Sequence, residues 1–375
     1  MASSEVASSP HLTSSYPESN RERDRWILSH RPPRNSLETH RPHAFLVEQE
    51  PSESGEVVSV ATIFLTNREC AWRCLMCDLW RNTTVEGVPV GAIPAQIDYA
   101  LAKLSGELGV AAQRAASGAS APRPSKLPGE TPARRIAREI KLYNSGSFFD
   151  PRAIPLADWE AIAHRVRSFE RLIVECHPAM VNESCLRFRE LFLKEASVGS
   201  LPSTPPRLEI AMGLETVHPE VLPRLNKRMT LDQFSHASAF LRKNGIALRV
   251  FILVKPPFLN ELDGLYWAKK SLDFAFQNGA TVASLIPTRL GNGALESLAA
   301  RGEFSPPKLS TLEAVFAYGL GLKQGRVLAD LWDLEKFADC PACFQKRANR
   351  LHEMNLQQVD LPPVECDRCG SADER

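Results

Sequence analysis

Six short apolar segments recur along the chain, and each ends in polar, proline or glycine residues. They lie at 57–67, 140–146, 171–178, 207–216, 247–257 and 281–290. Runs of this length and composition are typical of parallel strands that are buried on both faces. The segments between them carry apolar residues at helical spacing, as in LADWEAIAHRV and LDQFSHASAFLRK. The pattern therefore predicts strands and helices in alternation.

Such alternation predicts an α/β fold with one parallel sheet and right-handed crossovers. Six strand–helix units are fewer than the eight of a closed TIM barrel, so we predict a partial (βα)6 TIM-like barrel. Its functional site is expected at the carboxyl ends of the strands. We assign the barrel to residues 51–305, with a flexible Ala-, Pro- and Ser-rich insertion at 112–135. A C-terminal helix and a small four-cysteine module are expected at 306–375.

Residues 1–50 are predicted to form a disordered, basic N-terminal arm. Residues 1–20 are rich in serine, and residues 21–43 contain six Arg, three acidic residues and three His. The basic part has two interpretations: a solvated arm that wraps the domain, or an arm that contacts phosphates.

Composition restricts the class of protein without deciding its function. The 375 residues are 43% hydrophobic and 24% charged, with a formal net charge of +1, which argues neither for nor against nucleic acid. The sequence contains no run of 18 apolar residues and does not begin like a secretory signal, so we expect no membrane partner and a cytoplasmic location. In that reducing compartment, grouped cysteines are more often metal ligands than disulfides.

The first cysteine group is Cys70, Cys74 and Cys77, in the spacing C-x3-C-x2-C directly after the first predicted strand. Three thiolates on a 4Fe-4S cluster leave one iron without a protein ligand, and that iron can chelate an amine and a carboxylate. The alternative is half of a zinc site, although zinc usually takes four paired ligands.

The second group comprises two C-x2-C pairs near the C-terminus, Cys340, Cys343, Cys366 and Cys369. Four thiolates in two pairs suit structural zinc. A second iron–sulfur cluster is the main alternative.

The cysteine triad after strand one of a six-unit chain resembles the radical S-adenosylmethionine (SAM) superfamily, over roughly residues 55–295. The resemblance implies that the triad is catalytic and that the cofactors are a 4Fe-4S cluster and SAM. It implies SAM contacts at the strand ends, from Met76, Ser145, Gly146, Glu175, Gly213, Glu215, Ile286 and Pro287. It also places candidate substrate contacts at Asn226, Lys227, Lys255 and Arg289.

Several of these positions have a structural alternative. Ser145 and Gly146 also fit an ordinary strand-to-loop turn, and Glu175 fits a structural ion pair as well as a hydrogen bond to ribose. Asn226 and Lys227 also fit a solvated basic turn. Lys255 is a lone charge at a barrel rim, which suits an anionic ligand or simple exposure to water.

Longer segments, including IKLYNSGSFFDPRAIP and LEIAMGLETVHPEVLPRLNKRMT, resemble the radical SAM subunit of archaeosine synthase and its bacterial relatives. This resemblance implies modification of a deazapurine-type nucleoside in tRNA, an electron donor such as flavodoxin or ferredoxin, and a partner subunit. Two alternatives remain open: a radical SAM enzyme for a small-molecule or protein substrate, and a non-catalytic iron–sulfur and zinc protein that binds RNA.

Overall fold

An open eight-stranded sheet, in which the strands follow one another in chain order, forms the centre of the protein. The computed structural model describes residues 15–116, 136–197 and 206–369. Strand β1 runs antiparallel to β2, and β2 to β8 are parallel. The strands are β1 Ala44–Pro51, β2 Val57–Phe64, β3 Glu139–Tyr143, β4 Arg171–Glu175, β5 Arg207–Glu215, β6 Ala247–Val254, β7 Val282–Pro287 and β8 Arg326–Ala329.

The prediction of an α/β partial barrel is confirmed, and β2 to β7 coincide with the six predicted strands. The structure adds a strand at each edge of the sheet. Strand β1 escaped prediction because its sequence AFLVEQEP is interrupted by polar residues, and β8 because it has only four residues. The sheet therefore spans residues 44–329, beyond the predicted barrel at 51–305.

Most of the helices pack against one face of the sheet, which buries the main hydrophobic core between them. This core includes Ile63 and Leu142 of the sheet together with Phe188, Phe234 and Phe316 of the helices. The helices are α1 Asn20–Ser29, α2 Ala92–Ala116, α3 Trp159–Val166, α4 Glu183–Ser197, α5 Val221–Arg224, α6 Leu231–Lys243, α7 Glu261–Gln277, α8 Ala294–Ala300, α9 Leu309–Leu322 and α10 Pro341–Gln357. Helix α2 continues into the first residues of the predicted insertion, and 117–135 lie outside the described residues.

The N-terminal segment differs from the predicted disordered arm. Residues 1–14 lie outside the described residues, but from residue 15 the chain packs against the barrel. Tyr16, Trp26 and Ile27 are buried in one cluster with Leu75 and Leu295, and apolar burial of this extent fixes α1 in place. Among the described helices, none is both long and apolar enough to cross a membrane.

A network of buried ion pairs fills the inner face of the barrel at the amino ends of the strands. Fully buried Glu209 accepts hydrogen bonds from Arg171 at 2.8 Å and from Arg249 at 2.7 Å. Arg249 also pairs with Glu50 of β1 at 2.9 Å, and Glu50 pairs with Lys141. Burial alone would raise the pKa of Glu209, but the guanidinium groups of Arg249 and Arg171 hold it below its ordinary value.

Apolar side chains pack beside this network: Val58, Val60, Ile173 and Ala211 form one cluster, with Tyr143 and Phe251 packed against it. The amino end of the barrel is thus filled by side chains. The carboxyl end carries the loops that follow each parallel strand.

Removing one charge of the network should be costly. Replacing Arg249 with methionine removes the cation shared by the buried Glu209 and Glu50 carboxylates and leaves them only Arg171 and Lys141, so we expect a loss of about 3–5 kcal/mol of unfolding free energy in denaturant titrations. Replacing Lys336 with alanine removes the exposed Asp333 pair and should change it by less than about 1 kcal/mol. Equal effects of the two changes would contradict a structural role for the network.

Candidate active site

The three cysteines of the triad lie on one loop, residues 65–78, which follows β2 at the carboxyl end of the barrel and is called the Cys loop below. All three thiols are partly buried. Burial raises the pKa of Cys74 to about 12, and it also raises the pKa of Cys70 and of Cys77. Thiols with such pKa values stay protonated at neutral pH unless a metal favours the thiolate form.

Two buried asparagines from distant parts of the chain hold the backbone of the Cys loop. The Asn292 amide donates to the carbonyl of Leu75 at 2.7 Å and to that of Cys77 at 3.3 Å. The Asn226 amide donates to the carbonyl of Arg73 at 2.7 Å and to the Asp24 carboxylate at 2.8 Å. Asn226, a candidate substrate contact, thus uses its amide donors within the protein.

The segment after α1 covers the outside of the Cys loop. Arg31 donates to the Glu69 carboxylate at 2.7 Å, Arg73 approaches it to 3.1 Å, and Arg34 also pairs with it. Burial alone would raise the pKa of Glu69, but the hydrogen bonds from Arg31 and Arg34 lower it. The Arg31 guanidinium also lies 4.5 Å from the centre of the Trp80 ring. These arginines of the predicted basic arm therefore stabilise the loop instead of extending into solvent.

The turn after β3 presses against Cys70. A Cβ atom added at Gly146 would lie 3.1 Å from the Cys70 Cβ, so this position has little room for a side chain. Ser145 adopts a left-handed φ of 53°. The Glu175 carboxylate accepts the Asn144 backbone N–H at 2.8 Å, and the N–H groups of Ser145 and Gly146 also face it. The two roles expected for Glu175 were a structural ion pair and a hydrogen bond to ribose. The contacts in the structure are of a third kind, in which the carboxylate holds a backbone turn.

The Glu175 carboxyl group also changes its protonation state near neutral pH. Burial raises its pKa to about 7, against the opposing effect of the backbone N–H donors and of Lys227.

A buried ion pair lies at the end of β5. Lys227 donates to the Glu215 carboxylate at 2.8 Å, and a Cβ at Gly213 would lie 2.1 Å from that carboxylate oxygen and 2.6 Å from the Lys227 ammonium. Gly213 is thus required by the pair. Burial alone would lower the pKa of Lys227, but the negative charge of Glu215 raises it. A cation therefore lies beside the triad.

His177 and Trp72 belong to the site but were missed by the sequence analysis. Their rings stack at 3.7 Å with an angle of 11° between the planes. His177 Nδ1 accepts the Ala179 N–H at 3.1 Å, so Nε2 carries the proton and donates to the Lys227 carbonyl at 3.1 Å. Burial, together with the Lys227 charge, lowers the pKa of His177 to about 3. The neutral ring thus connects β4 to the Cys loop and to Lys227.

Of the remaining candidates, Met76 and Ile286 are apolar, and Lys255 and Arg289 form ion pairs within the protein. Met76 and Ile286 pack in one cluster with Leu225, Leu253 and Phe258, next to Pro287 at the end of β7. The Lys255 ammonium pairs with Glu261 at 2.9 Å and donates to Ser305 Oγ at 2.7 Å. Arg289 pairs with Asp330. The charges of Lys255 and Arg289 are therefore balanced within the protein.

The four C-terminal cysteines converge on one point. The thiols of Cys340 and Cys366 are 3.9 Å apart, those of Cys343 and Cys369 are 3.7 Å apart, and all four lie within 4.8 Å of one another. Four sulfurs at the usual zinc–sulfur bond length in a tetrahedron are about 3.8 Å apart. A cubane cluster places each thiolate on a different iron, which requires wider spacing. These residues can hold one metal ion.

A parallel partial barrel that carries three cysteines after its first parallel strand is the arrangement of radical SAM enzymes, and the chain resembles this superfamily. Among curated proteins, the archaeosine synthase subunit beta of Methanosarcina acetivorans is 25% identical over 249 residues, which cover 61% of this chain and 66% of that protein. The subunit beta of Thermococcus kodakarensis is 29% identical over 196 residues, which cover 51% and 57%. An uncharacterized protein of Methanocaldococcus jannaschii is 20% identical over 324 residues, which cover 82% and 79%. The predicted resemblance is thus confirmed.

The matches to the two archaeosine synthase subunits span less than two thirds of those proteins. No family model matches the chain. Solved structures that match part of the chain include Elp3 of Methanocaldococcus infernus, with a TM-score of 0.40 and 16% identity over 58% of this chain and 55% of that one. Coproporphyrinogen III oxidase of Escherichia coli, described as a radical SAM enzyme, gives a TM-score of 0.36 and 11% identity over 68% and 50%.

The contact between Gly146 and Cys70 gives a prediction about cofactor retention. Replacing Gly146 with alanine should displace Cys70 and lower the iron and sulfide content of anaerobically reconstituted protein, without unfolding it. Gly321→Ala is the matched control, because a Cβ at that helical position meets open space. Iron and sulfide content equal to that of the control would contradict the proposed contact.

Proposed function

We propose that this chain is a radical SAM enzyme that modifies a deazapurine-type nucleoside in tRNA. The observation that carries the proposal is the Cys loop itself. Three partly buried thiols stand on a loop held by two distant asparagines, with little room for a Cβ at Gly146 behind Cys70. Burial of this kind is unfavourable for thiolates without a metal, so the donor set fits an iron–sulfur cluster.

In this proposal Cys70, Cys74 and Cys77 hold a 4Fe-4S cluster and the adjacent strand ends hold SAM. When bound, the cluster and SAM together supply a 5′-deoxyadenosyl radical. Lys227, kept charged by Glu215, is the cation beside the triad and suits the carboxylate of SAM. The apolar surface of Met76 and Ile286 suits the adenine ring.

Glu175 has a positioning role in the same proposal. Its carboxylate accepts backbone N–H groups of the turn that carries Gly146, and that turn supports Cys70. Because its pKa lies near 7, this carboxylate is partly protonated at neutral pH, and acidification removes the charge that attracts the N–H donors.

The tRNA part of the proposal rests on the archaeosine synthase relatives and on an aromatic row at the barrel mouth. Phe251, Tyr143, Phe64 and Trp332 follow one another at ring separations of 6.1, 6.2 and 6.0 Å. The row leads from the inner face of the barrel to Trp332, which is 55% exposed. A planar nucleobase is a substrate that can stack on such a surface.

The four C-terminal thiols complete the proposal as a structural zinc site, because their separations match one tetrahedral ion. Partnership with a second subunit is also proposed, since the named relatives are subunits of archaeosine synthase. A reducing cytoplasm is the setting that these free cysteines require.

The two cysteine groups should lose their metals independently. A variant with alanine at Cys70, Cys74 and Cys77 should lose iron and sulfide and keep zinc, whereas a Cys340→Ala/Cys343→Ala variant should lose zinc and keep iron. Metal and sulfide analysis of anaerobically purified protein checks both. Iron retained by the triple variant would contradict the cluster assignment.

The enzyme assignment has its own test, in which wild-type protein is reduced and treated with SAM. Absence of 5′-deoxyadenosine would contradict that assignment and favour a non-catalytic metalloprotein.

Trp332→Ala should weaken tRNA recognition without affecting SAM cleavage. Loss of one stacked base is expected to raise KM for tRNA roughly tenfold, with substrate-free formation of 5′-deoxyadenosine unchanged. Trp332→Phe is the matched control, since it keeps an aromatic face.

An unchanged tRNA nucleoside profile after gene deletion would contradict tRNA as the substrate and favour a small molecule or a protein.

A further inference from the structure

A cavity of about 280 Å³ reaches Cys70 from the outside of the Cys loop. Its lining includes three arginines, Arg68, Arg73 and Arg152, which are called the arginine rim below. The described lining residues come from 68–85 and from Arg152, whereas Lys227 and Ile286 of the proposed SAM side do not contribute. The cavity thus gives access to Cys70 through residues other than those of the proposed SAM side.

The arginine rim carries more positive charge than its surroundings balance. Arg152 is half exposed and donates to the Asp150 carboxylate at 2.8 Å, and Arg73 shares Glu69 with Arg31 and Arg34. Among the described residues, no carboxylate forms an ion pair with Arg68. Three guanidinium groups therefore line the cavity beside a single carboxylate, Glu69, which Arg31 and Arg34 already share.

We propose that this cavity and the arginine rim form the docking surface for an acidic one-electron carrier protein. The inference rests on the proposed function, which requires a reductant. With a cluster held by Cys70, Cys74 and Cys77, one electron would pass in the docked complex from the reduced flavin or iron–sulfur centre of the carrier, which would be oxidised, to the cluster, which would be reduced. No covalent bond forms or breaks in this step.

Position and charge favour a carrier protein over RNA at this surface. A carrier must approach the metal closely, and Cys70 itself lines the cavity. Val85, 63% exposed on the same lining, offers the apolar contact that protein partners use beside charged groups. RNA binding draws on longer basic stripes that follow a phosphate backbone, and the aromatic row that suits a base lies at the mouth of the barrel.

The test compares charge reversal at the rim with the same change at the other end of the barrel. Arg68→Glu/Arg152→Glu should weaken binding of an acidic flavodoxin at least about tenfold in calorimetry at low salt, because complementary charge is replaced by repulsion. Arg68→Lys/Arg152→Lys should retain most of the affinity. Arg207→Glu/Arg242→Glu, at two exposed positions near the start of β5, is the matched control and should bind like wild type.

A kinetic readout separates docking from damage to the site. Formation of 5′-deoxyadenosine driven by reduced flavodoxin should fall in the charge-reversed variant, whereas formation driven by dithionite, which needs no docking surface, should be unchanged. Unchanged flavodoxin affinity would overturn the inference, as would a dithionite-driven rate that falls equally. Loss of tRNA affinity with flavodoxin affinity retained would assign the surface to RNA instead. If wild type cleaves no SAM even with dithionite, the proposed function fails, while the binding measurement still decides the docking inference.

Discussion

The buried ion-pair network around Glu209 is the interaction on which the barrel depends. Its members come from β1, β3, β4, β5, β6 and β8, so one set of charges joins strands that are far apart in the sheet. Arg326 of β8 also donates to the carbonyl of Pro51 in β1 at 2.6 Å, which ties the two edges of the open sheet together. Charges buried in this way are costly unless all are paired, which favours a single curvature and register of the sheet. The carboxyl ends of the strands consequently meet in a fixed arrangement.

The Cys loop depends on that arrangement, because its supports come from four different strand ends. Gly146 follows β3, His177 follows β4, Asn226 and Lys227 follow β5, and Asn292 follows β7. A loop without regular structure has few hydrogen bonds of its own. Side-chain amides and one ion pair from outside therefore fix the positions of its thiols, and pre-organised ligands lose less conformational entropy when they bind a metal.

The sequence predicted what depends on local pattern and missed what depends on distant contacts. Apolar runs gave β2 to β7, and cysteine spacing indicated two metal sites, of which the C-terminal one converges on a single point. Asn292 lies 217 residues from the carbonyl it holds, so nothing in its neighbourhood indicated that role. Arg31 and Arg34 belong to the segment interpreted as a solvated arm or as an arm that contacts phosphates, whereas both pair with Glu69 of the Cys loop, which no local pattern indicated. Glu175 was recognised as unusual, but a carboxylate after a strand does not reveal whether it faces ligand or backbone.

The supports of the Cys loop also divide its surroundings into two regions of different character. On the side of the strand ends, the Lys227 charge is matched by Glu215 and the adjoining surface of Met76 and Ile286 is apolar, which suits a zwitterionic ligand with an aromatic base. On the outer side, guanidinium groups exceed carboxylates, which suits a negatively charged macromolecule. Cys70 lines the outer cavity and is also in contact with Gly146 of the turn after β3. A glycine suits the position behind Cys70 because the Cβ of a larger residue would lie 3.1 Å from the Cys70 Cβ, so one of the two would have to move.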